Sequence, residues 1–149
     1  MSSAKYKFHQ NCWWDSNRDI LYKEKPSKRA GYLQHFDSLS EYRYYRRLLS
    51  KCNSNINVKR QVNLLGWRVD FMLEGDGVRG IKERLPLFRY SSQPRLFVEY
   101  KGILNSTLKS KASIIQRFGV IIVCPNVKVV DIWSGLDIIN SELFLRLLK

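Results

Sequence analysis

The sequence predicts an α/β fold with a mixed central sheet flanked by helices. Three observations carry that expectation: a helical stripe through HFDSLSEYRYYRRLLSKC, strand-like runs at WRVDFMLE, RLFVEYK and VIIVC, and a second helical stretch between the last two runs. The resulting order of helix, strands, helix, strand and helix alternates as an α/β sheet requires. At 149 residues, 44% of them apolar, the chain fits a single domain able to bury a core without metal or disulfide staples.

The elements follow in chain order. Residues 1–32 mix aromatic and cationic side chains without clean periodicity, and Pro26 argues against one continuous helix, so an irregular or partly helical basic N-terminal arm is expected. Leu39, Tyr42, Tyr45, Leu48 and Leu49 then recur at helical spacing, with Asp37 and Ser38 available as N-caps. After the turn cluster NSNIN, VKRQVNLLGWRVDFMLEG reads as two extended segments divided near Gly66. In the second, Trp67, Val69, Phe71 and Leu73 share one face, and Arg68, Asp70 and Met72 the other. Residues 75–94, with Gly77, Gly80, Pro86 and several cations, read as an inserted basic hairpin or excursion. A strand follows Pro94 and ends at Gly102. Asn105 to Phe118 reads as one helix, Val120 to Cys124 and Lys128 to Ile132 as strands, and residues 136–148 as a closing helix.

Charge narrows the function classes. Lys and Arg number 26 against 13 Asp and Glu, a formal charge of +13 that is most simply explained by a polyanionic partner. Nucleic acid comes first and an anionic membrane surface second. The longest apolar stretch, GVIIVCP, is far too short to span a bilayer, and MSSAKYKFHQ lacks the apolar core of a signal peptide. A cytoplasmic protein without a membrane partner is therefore expected. Cys12, Cys52 and Cys124 contain no close pair, and His9 and His35 are the only histidines, which argues against a disulfide framework, a thiolate zinc cluster or a histidine metal site.

The chemistry concentrates in VEYKG. Phe97, Glu99 and Lys101 share one strand face, and Leu96, Val98 and Tyr100 the other, so both faces carry apolar residues and the strand reads as central. A charge there must be paired or face a cavity. Asp70 poses the same puzzle between Val69 and Phe71, and if the two strands are neighbours, Asp70 and Glu99 converge. Two converging carboxylates repel; a divalent cation resolves this, and oxygen donors suit Mg²⁺ or Mn²⁺. Lys101 would orient or help deprotonate an attacking water and offset charge on a phosphate. This spacing suits phosphodiester hydrolysis. The plainer account is a same-face ion pair between Glu99 and Lys101. Glu41 likewise has two readings: three residues after Ser38 it has capping-box spacing, yet it heads an inward stripe and is a candidate for the metal site.

Asp70 in WRVDF, Glu99-Tyr100-Lys101 in LFVEYKG and Glu41 in FDSLSEY together resemble the PD-(D/E)xK nuclease superfamily. The matching region spans residues 36–124. Val69 stands where the family often has proline, a departure many members share. The resemblance implies a restriction endonuclease-like core, with catalytic Glu41, Asp70, Glu99 and Lys101, and a Mg²⁺ ion held by Asp70, Glu99 and the Tyr100 backbone carbonyl, Mn²⁺ being able to substitute. Within the superfamily the chain looks like the cyanobacterial group I intron-encoded homing endonucleases. That implies site-specific cleavage of double-stranded DNA at a long near-palindrome by a homo-oligomer, a dimer or a tetramer. A Holliday junction resolvase is the nearest alternative, and a catalytically silent DNA-binding protein the alternative from another class.

For DNA contact, Lys59 and Gln61 share one strand face with Arg60 opposite, and Arg and Gln suit guanine and adenine edges. Arg68, Arg79, Lys82, Arg84 and Arg89 are further candidates, the last four in the excursion. Lys109 and Lys111 could approach phosphate from the following helix. For any one of these the alternative is a solvated surface charge.

Overall fold

The computed structural model describes residues 11–27, 33–85, 94–104, 107–128, 130–133 and 136–148. The chain divides into two compact units, Met1–Arg46 and Arg47–Lys149.

In the first unit, β1 (Cys12–Asp15), β2 (Ile20–Tyr22) and β3 (Leu33–Phe36) form an antiparallel sheet of order β2-β1-β3. Asp15 sets the turn between β1 and β2, its Oδ1 accepting the amides of Asn17 and Arg18 at 2.9 and 3.1 Å. The helix α1 (Leu39–Lys51) begins where expected: Ser38 Oγ accepts the Glu41 amide at 3.0 Å. Aromatic rings fill the space between this sheet and the start of α1. Phe36 lies 5.2 Å from Tyr42 and 5.5 Å from Tyr45, and Trp14 about 6 Å from both. Arg46 stacks 4.7 Å from the Trp14 centroid and bonds Asp19 at 2.6 Å, while Trp14 Nε1 donates to the same carboxylate at 2.8 Å. The irregular or partly helical arm is thus corrected over residues 12–22, which form the strands β1 and β2 joined by a turn. Trp13 and Trp14 face opposite sides of β1, an alternation hidden by the short strand and its polar surroundings.

The second unit is α/β. Its sheet comprises β4 (Asn57–Leu64), β5 (Trp67–Glu74), β6 (Arg95–Tyr100), β7 (Ile121–Cys124), β8 (Val130–Trp133) and β9 (Leu136–Asn140), in the order β4-β5-β6-β7-β9-β8. The sheet is mixed: β6 pairs with β7 and β7 with β9 in parallel, and the other neighbours are antiparallel. A parallel pair needs a crossover, and between β6 and β7 the chain supplies α3 (Thr107–Ser110) and α4 (Ala112–Phe118). Leu108 and Ile115 of that crossover pack with Trp67, Val69, Ile122 and Ile138 in one apolar cluster. The opposite parity of β6, β7 and β9, Leu96, Val98, Ile121, Val123 and Ile139, is also buried, so the sheet centre is covered on both faces.

Three expectations change here. Residues 78–84, expected in a basic hairpin, form the helix α2 (Val78–Arg84), because Val78 and Ile81 fall one turn apart and are both buried; residues 86–93, including Arg89, lie outside the described residues. The helix expected from Asn105 to Phe118 is two short ones, separated at Lys111, whose amide bonds the Leu108 carbonyl at 3.0 Å. The closing helix begins late. Residues 136–140 are β9, with Ile138 and Ile139 opposite Ile122 and Val123, and α5 (Ser141–Arg146) starts after Asn140, whose Oδ1 caps the amides of Glu142 and Leu143. Among the described residues no helix is long and apolar enough to cross a membrane.

Gly75 ends β5 at φ 122°, and a Cβ there would stand 2.3 Å from the Asn55 carbonyl oxygen. Gly75→Ala should therefore cost about 2 kcal/mol, a fall in Tm of roughly 4–8 °C in a thermal melt.

Candidate active site

The site is built where β5 and β6 stop pairing. Their antiparallel ladder runs from Glu74↔Arg95 to Phe71↔Val98. One residue further, the same register sets Asp70 across from Glu99, and there side chains replace the backbone ladder. The Asp70 amide donates to Glu99 Oε1 at 3.0 Å, and the Tyr100 amide donates to Asp70 Oδ2 at 2.9 Å. Each strand's carboxylate thus accepts an amide of the other strand. Such bonds are each worth about 0.5–1.5 kcal/mol net, and more where the acceptor is ionised, and here they hold the two acids together at the point where the strands separate.

The opposite edge of Asp70 is irregular as well. Pairing between β4 and β5 passes from Arg60↔Phe71 to Val62↔Val69 and skips Gln61, which stands across from Asp70. Gln61 has φ 53°, in the left-handed region that a side chain enters at a cost. Asp70 therefore lies on a strand whose regular pairing lapses on both sides.

The electrostatics match the geometry. Asp70 is 8% exposed and Glu99 3%. Burial pushes the Asp70 carboxyl well above the usual carboxylate range. The neighbouring Glu99 carboxyl adds to the rise through its charge and its hydrogen bond, while the Tyr100 amide and the Lys101 charge oppose it. Lys101 Nζ lies 3.5 Å from Glu99 Oε2 and remains partly open to solvent, and the Lys101 amide is anchored on the Val123 carbonyl at 2.9 Å. Lys101 is thus a partly exposed cation beside two buried acids.

The donor set fits a hard divalent ion. Among the described residues there is no group of three or more His, Cys, Asp and Glu side chains that could hold a metal. Two carboxylates are nevertheless the protein share of many Mg²⁺ sites, where water and substrate phosphate complete the shell.

The other candidates lie on several elements. Glu41 is a buried residue of α1 in the first unit. Lys59 pairs with Glu74 at 2.8 Å, and Arg84 Nη2 donates to the Leu147 carbonyl at 2.5 Å, so each has a structural partner. Arg60, Gln61, Lys82 and Lys111 are half-buried, and burial depresses the Lys82 ammonium. Arg68, Arg79 and Lys109 are exposed. The sequence reading treated Gln61 as a base reader and missed its place opposite Asp70. The signal was Gly66, since a two-residue loop at Leu65–Gly66 fixes that register.

A folded-state carboxyl pKa above its unfolded value means that the folded chain holds the extra proton. The contribution of Asp70 to stability is then lost as pH rises from the ordinary carboxylate range, near 4, through the raised value. Asp70→Asn should raise the Tm of the metal-free protein at pH 8 by roughly 2–8 °C, or about 1–2 kcal/mol, and the gain should shrink toward zero near pH 4. A thermal melt of both proteins across that range checks it. No protein-family model, curated protein or solved structure matches this chain.

Proposed function

We propose that this protein is a divalent-metal-dependent DNA endonuclease built on a PD-(D/E)xK core, with Asp70, Glu99 and Lys101 as its catalytic residues. The observation that carries the reading is the buried acid pair at the fork between β5 and β6, with Lys101 at 3.5 Å from Glu99. A cluster that gathers two acids at the cost of a raised carboxyl pKa is poor design for stability alone and suits a site that binds a cation.

Asp70 and Glu99, with the Tyr100 carbonyl, would hold Mg²⁺, or Mn²⁺ in its place. When bound, the ion supplies Lewis-acid polarisation of the scissile phosphate and charge balance for the leaving oxygen. The chain's own groups do the rest. The Tyr100 amide fixes Asp70 Oδ2, the Asp70 amide fixes Glu99 Oε1, and both carboxylates thereby hold one orientation without reorganising. The Lys101 ammonium, partly open to solvent, orients the attacking water and offsets charge gathering on the phosphate. Exposed Arg68, Arg79 and Lys109 provide backbone contacts within a chain of charge +13. The finer reading is a homing-type enzyme acting in the cytoplasm as a homo-oligomer, each subunit reading part of a long near-palindromic site.

Purified protein incubated in Mg²⁺ with a random-insert duplex library should produce new ends clustered at one long, near-symmetric sequence. Ends on unrelated four-way junctions alone would favour a resolvase, and duplex binding without metal-dependent ends would favour a silent binder. Asp70→Asn, Glu99→Gln and Lys101→Met should each lower cleavage at least about 100-fold while duplex binding stays within a few-fold. Because the pair must lose a proton to take a cation, Mn²⁺ affinity read by electron paramagnetic resonance should strengthen as pH rises through the raised Asp70 value.

A further inference from the structure

The hairpin between β4 and β5 closes on Leu65 and Gly66, with φ of 52° and 87°. Positive φ at both central residues is the type I′ pattern, in which Asn-Gly and Gly-Gly are the favoured pairs because a bulky side chain is strained there. Leu65 is also 64% exposed, the most exposed large apolar residue among those described. The turn itself is held by its neighbours, Asn63 Oδ1 accepting the Gly66 amide at 2.8 Å. One residue thus carries two separate penalties, a strained backbone and an apolar side chain in water, and neither the turn nor the core asks for leucine.

Its position gives the leucine a use. Because β5 runs antiparallel to β6, the Leu65–Gly66 end of the hairpin extends past Asp70 at the same end of the sheet as Tyr100 and Lys101. Asp70 lies three residue steps from Trp67 at the base of the loop, roughly 10 Å at about 3.3 Å per step. That distance is comparable with a major groove about 12 Å wide. Directly behind the tip, Asn63 and Arg68 are paired across the hairpin, and both are exposed. An apolar tip backed by a cation and an amide, on a chain of charge +13, matches duplex DNA: the polar pair reaches phosphate or base edges, and the apolar group enters the base stack.

We infer that Leu65 is a wedge that inserts between base steps of duplex DNA held at the Asp70–Glu99 site. The inference rests on the DNA reading above and names the contact that the hairpin makes. Insertion unstacks a step and unwinds the duplex, so it is visible without knowing the target sequence.

The test compares wild type with Leu65→Asn and Leu65→Met. Each protein is bound to relaxed plasmid in Ca²⁺ in place of Mg²⁺, topoisomerase I is added, and the linking number is read after deproteinisation; Tm, duplex affinity and solution mass are measured in parallel. Wild type and Leu65→Met should shift the linking number. Leu65→Asn should melt higher, since Asn suits the turn, yet bind duplex about tenfold more weakly and leave the linking number unchanged. A Leu65→Asn protein that binds and unwinds as wild type does overturns the wedge. So does a variant whose only change is a smaller assembly, which would make the tip a contact between copies of this chain. Wild type that binds no duplex removes the DNA reading itself, and the wedge with it.

Discussion

The second unit depends on a reciprocal exchange between two strands. At Asp70 and Glu99 the backbone ladder of β5 and β6 gives way to carboxylates, each accepting an amide from the opposite strand. Without those acceptors, two amides in the buried middle of a sheet would lose their partners, and an unmet buried donor costs about 1–3 kcal/mol. The acids are therefore structural. They close the hydrogen bonding of the fork, and in closing it they are fixed side by side.

Burial and the neighbouring Glu99 keep the Asp70 carboxyl well above its ordinary range, and the Lys101 ammonium beside Glu99 is shared with solvent. A proton or a cation can neutralise the pair, and only a cation leaves both carboxylates ionised. The lapse in pairing at Gln61, with its left-handed backbone, falls at the same residue from the other edge. Strain of this kind persists where the surrounding structure over-determines it, and here the surroundings are the fully buried Phe71 and Val69 on either side of Asp70.

Much of this could be read from sequence wherever side-chain period and burial agree. Glu99 and Lys101 sit on a strand with apolar residues of both parities, and that strand is central; α1 begins at Ser38 as its hydroxyl position requires. The reading failed where one pattern served two structures. Leu136, Ile139, Leu143 and Leu147 fit a helix, but Ile138 and Ile139 are needed as strand partners for β7, a long-range demand that no local window contains. Val78 and Ile81 were masked by glycines and cations that resemble a loop. The strands of the first unit were hidden because they are three or four residues long and their cohesion comes from aromatic rings meeting α1, not from alternation. At the site, the convergence of Asp70 and Glu99 depended on β5 and β6 being neighbours, which the sequence left conditional; the exchange of amides could not be inferred, since it needs the register.

The charge distribution follows a consistent logic under the proposed reaction. A net charge of +13 draws a polyanion from a distance and is sequence-independent. Close to the acids the sign reverses, and a phosphate would be repelled by two carboxylates unless a cation stood between them. Under the proposed reaction, a basic surface that draws DNA and an acid pair that repels phosphate without metal would make acceptance of the phosphate conditional on the ion. Attraction and cleavage are then separable: the basic surface sets how tightly the duplex is held, and the fork between β5 and β6 sets whether a phosphate can be accepted at all. A silent binder would need only the first of these, and replacing Asp70 and Glu99 with neutral polar residues of the same shape would serve its fold better. Two acids in a buried fork, one with its carboxyl raised by burial and by the other, form the place where the proposed cation would act.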